Sequence, residues 1–361
     1  MPLNIGSASV WSRAAGRNDS GAVDLAPASA RRAAPAGDAL SEVLRLVRLT
    51  GAVFLRAELK APWAVQAPPS KVLTARVMPH AEHLVEYHLI VEGRCWIRLP
   101  DGDPIALSAG DLVMLPHGDA HRLSSEPGLE VPATDGAAIE LPAYGDIVHH
   151  HGSGDGATTR FACGYLAIDR RLCRGLLDAL PRLLRIDASD SDLRGWLHTY
   201  MQLRAAERGD FRPGSACVLS KLSELLFVEA VRRYVDALPP GHTGWLAGLR
   251  DLHVGRVLRL IHQRPARPWT VQDLARAAGL SRSALAARFT QLVGTPPMQY
   301  LTQWRLALAA HRLQVSSQPA AAVAEEVGYD SEAAFNRAFK RAFGLPPATW
   351  RRSNGAARAL R

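Results

Sequence analysis

Asn336 and Arg337 stand side by side in a short segment with helical periodicity near the C-terminus. Asparagine can pair with adenine, and arginine with guanine, through two hydrogen bonds to the edge of the base. Phe335 and Phe339 are four residues apart, so both lie on one helix face and leave the polar residues on the other. This arrangement predicts a helix whose exposed face can read bases in the major groove of DNA.

The same pattern occurs about fifty residues earlier, so the C-terminal region carries one motif twice. Each copy has a short apolar helix, a turn containing Gly279 or Gly328, a second short helix, and a Gly-x-Pro-Pro exit. Glycine tolerates the left-handed backbone of such a turn, and Ser281 is placed to cap the helix that follows. Both copies therefore have the pattern of a helix-turn-helix unit.

The groove-facing residues should lie on the second helix of each copy. They are Arg282, Ser283, Ala286, Ala287 and Thr290 in the first copy, and Glu332, Ala333, Asn336, Arg337 and Lys340 in the second. The first set is mostly small and suits thymine methyl groups. We therefore expect the groove-facing helix of the second copy, or Arg282 and Arg288 in the first copy, to make much of the polar contact. A helical bundle with a solvated charged face is the alternative, and the duplication disfavours it.

Positive charge is concentrated in the region of the two motifs. Residues 250–361 contain 17 Lys and Arg against 6 Asp and Glu, a net charge of +11. The rest of the chain has 26 and 28, a net charge of −2. A basic surface confined to one end is what binding to DNA phosphates requires.

Residues 251–352 resemble the DNA-binding domain of the AraC/XylS transcription regulators, most specifically over 328–347. The resemblance implies an all-α domain at 246–352, with helix-turn-helix units at about 269–292 and 319–343 and a linker helix at about 298–313. That helix would be ~24 Å long and would direct the units to successive major-groove segments. It also implies promoter DNA and RNA polymerase as partners, an unknown effector, a homodimer, and activation more than repression.

Short apolar runs separated by turn residues predict an all-β region before this domain. The expected strands are 53–59, 72–77, 87–91, 95–99, 104–107, 112–115 and 161–168. Residues 39–47 have a helical apolar stripe, and 149–159 read as a Gly/His-rich loop in which His149, His150 and His151 are more typical of a surface than of a ligand set.

Two spacings within this region match cupin motifs. Glu86 precedes Gly93 by seven residues, and the second motif reads Gly110-Asp111-x4-Pro116-x-Gly118-x2-His121. Residues 88–96, 109–121 and 163–164 are similar to the cupin-type ligand-binding domain that is fused to AraC-type regulators. The resemblance implies a cupin-like sensor barrel over 38–170.

Histidines and a carboxylate near these motifs are candidate ligands for Zn²⁺ or Fe²⁺: His80, His83, Glu86, His88 and His121. Metal cupins carry two alternating histidines just before the glutamate, whereas the corresponding residues here are His80 and Glu82. This first motif is therefore degraded. A dry barrel or a pocket for an organic ligand remains the alternative to a metal site.

The sequence leaves three classes of protein function to be compared. A DNA-binding regulator with a sensing barrel fits the duplicated motif. A metal-dependent cupin enzyme, such as a dioxygenase or isomerase with an accessory helical domain, would need an intact metal site, so we expect a protein that is not an enzyme. An RNA-binding or architectural protein does not need a duplicated base-reading face.

The four cysteines, at positions 95, 163, 173 and 217, show no CxxC spacing and fit reduced thiols in a cytoplasm. Cys95 and Cys163 lie in expected strands, where they are either small buried hydrophobes or thiols that sense oxidants. Cys173 and Cys217 lie in the helical part, where a structural role is expected.

The remaining segments complete a multi-domain arrangement. Residues 1–37 have a disordered composition and no secretory signal, 171–240 read as a helical linker that is either sensor core or a dimer interface, and 353–361 form a basic tail. No apolar run is long enough to span a membrane, so we expect a bacterial cytoplasmic protein associated with the nucleoid.

Overall fold

The computed structural model of the chain describes residues 23–25, 39–46, 54–78, 81–130, 147–151, 154–169, 175–187, 215–239 and 241–352. Two β-sheets form the N-terminal half, and helices form the C-terminal half. Within these ranges, no helix combines the length and the apolar character needed to cross a membrane. The predicted fold class, a β barrel followed by helices and a double helix-turn-helix domain, is confirmed.

The barrel consists of a seven-stranded and a four-stranded sheet, ordered β1-β11-β7-β4-β10-β2-β9 and β3-β8-β5-β6. The strands are β1 (Val23–Leu25), β2 (Phe54–Lys60), β3 (Ala64–Ala67), β4 (His83–Glu92), β5 (Arg94–Arg98), β6 (Ile105–Ser108), β7 (Leu112–Leu115), β8 (His121–Ser124), β9 (Ile147–His151), β10 (Thr158–Ile168) and β11 (Leu184–Ile186).

Strand β4 is central to the larger sheet and is buried on both faces over most of its length. Because side chains alternate along a strand, Tyr87 and Leu89 pack into one hydrophobic core while Ile90 packs into the barrel interior. The even-numbered residues of β4 therefore face the inside of the barrel, and the odd-numbered ones face the helices that cover the sheet.

The helices are α1 (Ala39–Leu46), α2 (Ser70–Val77), α3 (Ser215–Ala237), α4 (Trp245–Arg250), α5 (Leu252–Gln263), α6 (Val271–Ala278), α7 (Arg282–Val293), α8 (Pro297–Val315), α9 (Ala320–Glu326) and α10 (Glu332–Phe343). One hydrophobic core runs from the outer face of the larger sheet, through α3, into α4–α7. A separate core fills the space between α8, α9 and α10.

Several sequence-based expectations differ from the structure. Residues 72–77 belong to helix α2 rather than to a strand: Leu73 is buried while Val72 is exposed, so the segment offers only one face to the core. Residues 184–186, expected to be helical, form β11, because Leu184 and Ile186 are both buried with Arg185 between them, which is a period of two.

Strand pairing explains the other differences. Val23–Leu25 lies in the range expected to be disordered, yet it pairs in parallel with β11. His149, His150 and His151, expected in a loop, lie in β9 and pair with β2. Each of these segments completes a sheet through backbone hydrogen bonds, which local composition does not reveal. The basic tail at 353–361 and most of 171–214 lie outside the described residues.

A buried polar cluster holds α4, α5 and α8 together. The Tyr300 hydroxyl accepts a hydrogen bond from Trp245 Nε1 at 2.7 Å and lies 2.7 Å from His262 Nε2. Burial lowers the pKa of His262 to about 3, and its neutral ring shares a hydrogen bond with the Tyr300 hydroxyl. Tyr300 thereby satisfies two buried groups with one oxygen.

We predict that Tyr300→Phe lowers the free energy of unfolding by about 1–3 kcal/mol, because Trp245 and His262 lose their shared partner while remaining buried. Denaturant unfolding of the full chain measures this difference. Tyr329→Phe is the matched control, since the buried Tyr329 hydroxyl has no hydrogen-bond partner in the described part of the chain. Equal losses in the two variants would contradict the assignment.

Candidate functional site

The first helix-turn-helix unit consists of α6 and α7, and its local hydrogen bonds follow from the sequence. Thr270 and Asp273 form a capping box at the start of α6. Gly279 ends that helix in the left-handed conformation, with φ of 69°. Ser281 Oγ then accepts a hydrogen bond from the backbone N–H of Ala284 at 3.2 Å, which starts α7 as predicted.

The second unit consists of α9 and α10; α9 begins after Pro319 without a side-chain cap, whereas the serine cap of the second helix is repeated. Ser331 Oγ accepts from the backbone N–H of Ala334 at 3.3 Å. Gly328, with φ of 91°, lies so close to Ala266 that an added Cβ would be 2.7 Å from its Cα. The turn between α9 and α10 therefore packs directly against the loop before the first unit, and only glycine fits there.

The apolar stripes of α7 and α10 are buried, as predicted, through Leu285, Phe289, Phe335 and Phe339. The opposite faces are open to solvent. The exposed candidates are Arg282, Ser283, Ala287, Thr290, Glu332, Ala333, Arg337 and Lys340, while Ala286 and Asn336 are half-buried. Both faces are accessible to a partner.

Arg288, also expected to be able to contact DNA, forms an exposed ion pair within the domain. Its Nε donates to Asp251 Oδ2 at 3.0 Å, and its guanidinium pairs with the same carboxylate. Asp251 also caps α5 by accepting from the backbone N–H groups of His253 and Val254. Arg288 therefore links α7 to α5. Arg282 is the other arginine of α7, and its exposed side chain is available for contacts outside the domain.

Helix α8 joins the two units, and Arg305 on it contacts the loop before the first unit and the turn of the second. Its guanidinium donates to the carbonyl oxygens of Pro265 at 2.7 Å and Arg267 at 2.9 Å, which precede the first unit. It also donates to Gly328 O at 2.9 Å in the turn of the second unit. Sequence reasoning missed this residue, although an arginine among the apolar residues in the middle of the linker helix is a visible signal.

A second group of polar residues lies inside the barrel, where Glu86 and His88 on β4 meet His121 at the start of β8. Ligand-type atoms of the three side chains all lie within 4.8 Å of one another. His88 Nε2 is 2.7 Å from His121 Nε2, and His88 Nδ1 is 2.7 Å from Cys163 Sγ. The group therefore links the larger sheet to the smaller one.

Burial dominates the electrostatics of this group. It raises the pKa of Glu86 to about 8, with a smaller contribution from the charge of Asp119. Burial also lowers the pKa of His88 well below its usual value and that of His121 to about 4. A low-dielectric interior disfavours every charged form here.

Two of the five predicted metal ligands are not in this group. His83 Nε2 donates to the carbonyl oxygen of Pro116 at 2.7 Å, so it stabilises the turn before β8 rather than a metal site. His80 lies outside the described residues. The degraded first motif thus contributes only Glu86, and His88 takes part from a position that the motif does not include.

The cysteines differ in their surroundings. Cys95 and Cys163 are buried in the barrel interior. Burial raises the pKa of Cys95 to about 12 and that of Cys163 well above its usual value. Cys217, expected to be structural, is exposed on α3, and Cys173 lies outside the described residues.

Comparisons with known proteins agree with this architecture. A family model described as a cupin matches residues 38–236, and one described as a helix-turn-helix domain matches residues 274–353. An AraC-like transcription regulator of Streptomyces lividans is 32% identical over 87% of this chain and 98% of its own length.

Two further relatives are regulators of the same length class. The HTH-type transcriptional regulator AlkR of Acinetobacter baylyi is 31% identical over 88% of this chain and 100% of its own length. The RCS-specific HTH-type transcriptional activator RclR of Escherichia coli is 27% identical over 87% and 97%. These names do not support the alternative of a cupin enzyme. The chain belongs to the AraC family of transcription regulators and carries a cupin domain ahead of its DNA-binding helix-turn-helix domain.

Proposed function

We propose that this protein is a sequence-specific activator that binds promoter DNA with both helix-turn-helix units and responds to a signal bound in the barrel. The observation that carries the proposal is the pair of exposed faces on α7 and α10, held at a fixed separation by α8 and Arg305. The 19 residues of α8 span ~28 Å, which suits two successive major-groove segments.

The two units would contribute differently to recognition. On α10, the side chains of Arg337 and Asn336 are of the types that pair with guanine and adenine, and Lys340 suits a phosphate. On α7, Arg282 is the charged residue available, with Ser283 and Thr290 as smaller polar groups, and Ala286 and Ala287 suit thymine methyl groups. We therefore propose that α10 supplies most of the hydrogen-bonded base reading.

Coupling between the barrel and the DNA-binding domain would run through β4 and α3. Tyr87, between Glu86 and His88, directs its hydroxyl to Ser223 on α3, with an oxygen-to-oxygen distance of 2.7 Å. The Arg250 side chain, at the end of α4, hydrogen-bonds the carbonyl oxygens of Val235 and Leu238 at the end of α3. A ligand that favours one arrangement of β4 would shift promoter occupancy or polymerase contact by linkage.

Activation is supported by the name of the Escherichia coli relative, and contact with RNA polymerase follows from that proposal. For the signal, a ligand of the polar group in the barrel is better supported than oxidation of Cys95 or Cys163. Sensor thiols are exposed and have a low pKa, whereas both of these thiols are buried with a raised pKa.

Selection of bound fragments from a pool of random duplexes, with the purified full chain, tests the DNA-binding part of the proposal. We expect enrichment of one composite sequence with two recognised segments. A pool that remains random after repeated rounds at low salt would contradict sequence-specific binding.

Arg337→Ala should weaken binding to the selected duplex by ~1–3 kcal/mol, because the variant loses a bidentate contact with a base. Fluorescence anisotropy at fixed salt measures this loss. Arg160→Ala on β10 is the control, since Arg160 is an exposed arginine paired with Glu58 in the other half of the molecule and lies outside α3. Equal affinities of Arg337→Ala and the parent would refute this contact.

We also propose a homodimer formed through α3. Val218 and Leu225 are 45% and 37% exposed and lie seven residues apart, which places both on one helix face. Sedimentation of a Val218→Glu/Leu225→Glu variant should show a monomer where the parent is a dimer. Leu252→Glu, at an exposed leucine outside α3, should leave the dimer intact; a dimeric double variant would refute this interface.

A further inference from the structure

The barrel interior contains a carboxyl group that has no hydrogen-bond partner. Glu86 is fully buried, and neither of its carboxylate oxygens makes a hydrogen bond within the described part of the chain. Burying a carboxyl group without a partner costs free energy, and native proteins contain few such groups. Its two oxygens are therefore available to a ligand with donor or cationic character.

Two imidazoles face the same space in a defined protonation pattern. His121 Nδ1 donates to the carbonyl oxygen of Asp119 at 3.0 Å, which leaves Nε2 with a lone pair. That Nε2 lies 2.7 Å from His88 Nε2, so one proton is shared between the two rings. A histidine held by a carbonyl through one nitrogen, with the other free, is the arrangement found in metal sites.

We propose that Glu86, His88 and His121 bind one divalent first-row transition-metal ion. Two imidazoles and one carboxylate suit Zn²⁺ or Fe²⁺, whereas Mg²⁺ and Ca²⁺ prefer oxygen ligands throughout. Three protein ligands leave at least one coordination position for water or a small molecule. The site specifies the signal class within the proposed function and rests on that proposal only for its regulatory role.

This ligand set is not the one that the degraded motif would supply. The motif places its histidines before the glutamate, and His83, from that part of the chain, is bonded to Pro116 instead. His88 replaces them because it lies two residues after Glu86 on the same inward face of β4. The opposing strand β8 contributes His121 across the barrel.

Cys163 is a positioning residue for this site. Coordination through Nε2 would require the Nδ1–H tautomer of His88, so the proton that lies between the two Nε2 atoms would pass to Nδ1 when a metal binds. That nitrogen is 2.7 Å from Cys163 Sγ, so it donates to the sulfur and fixes the plane of the ring. The thiol therefore acts on the metal through His88 and need not be a ligand itself.

The test uses the full chain, stripped with a chelator and then exposed separately to Zn²⁺, to Fe²⁺ without oxygen, and to Mg²⁺. Mass spectrometry of the metal content and competition with a chromogenic chelator give stoichiometry and affinity. We expect one Zn²⁺ or Fe²⁺ per chain and no Mg²⁺. Failure to retain either transition ion, or equal retention of Mg²⁺, would overturn the proposal.

Glu86→Gln, His88→Gln and His121→Gln should each weaken the affinity by roughly 100-fold, and Cys163→Ala by roughly 10-fold with recovery in Cys163→Ser. His83→Gln is the control within the barrel, and a triple His149→Ala/His150→Ala/His151→Ala variant controls for the other histidine cluster. Both controls should keep the ion. Parent-like affinity in the three ligand variants would refute this site.

X-ray absorption of the zinc-loaded parent keeps the test independent of how the variants fold. We expect a first shell of nitrogen and oxygen with scattering from two imidazoles; a shell of sulfur, or of oxygen alone, would refute the ligand set. DNA binding is measured separately. If the chain binds duplex DNA but no metal, the metal site is refuted and the proposed DNA binding stands. If the chain binds metal but no duplex DNA, the proposed function is refuted and the metal site stands.

Discussion

The relative position of the two helix-turn-helix units depends on one guanidinium group. A helix alone fixes the distance between the units, but each unit could still tilt about its end. Arg305 removes this freedom, because its planar donors bond the carbonyl oxygens of Pro265 and Arg267 beside the first unit and of Gly328 within the second. Burial lowers the pKa of Arg305, and a guanidinium group keeps its charge in proteins. The close contact between Gly328 and Ala266 also holds the turn of the second unit against the loop before the first unit.

Strand β4 gives the barrel a comparable link between its interior and the helices. Glu86 and His88 face inward to the polar group, while Tyr87 between them faces outward to Ser223 on α3. An added Cβ at Gly164 would lie 2.2 Å from the Tyr87 hydroxyl oxygen, so the neighbouring strand β10 leaves space for this ring only because it carries glycine there. The inward and outward sides of β4 are thus one residue apart, and the core on the outward side continues into α4–α7.

Local sequence predicted the DNA-binding half well, because both helix-turn-helix units are defined by short-range periodicity, caps and turn glycines. Ser281, Gly279 and the stripe of Phe335 and Phe339 took their predicted places. The barrel was predicted less fully, because strands such as β8 and β11 depend on pairing partners distant in sequence. For the same reason the sequence suggested both His83 and His88 as ligands, and only the strand pairing shows that His88, rather than His83, lies beside Glu86 and His121. The bonds of Arg288 and Arg305 depend on tertiary contacts across 37 and 40 residues, which no local pattern contains.

The central claim is that the two units read one duplex as a rigid pair. Binding to a selected composite site can be compared with binding to the same site after insertion of ~5 base pairs, half a helical turn, between the two recognised segments. A rigid pair must lose most of the affinity, because the second recognition helix then meets the opposite side of the duplex, and insertion of ~10 base pairs must not restore it, because α8 cannot lengthen. Unchanged affinity after the half-turn insertion would show that the units bind independently and would contradict the account.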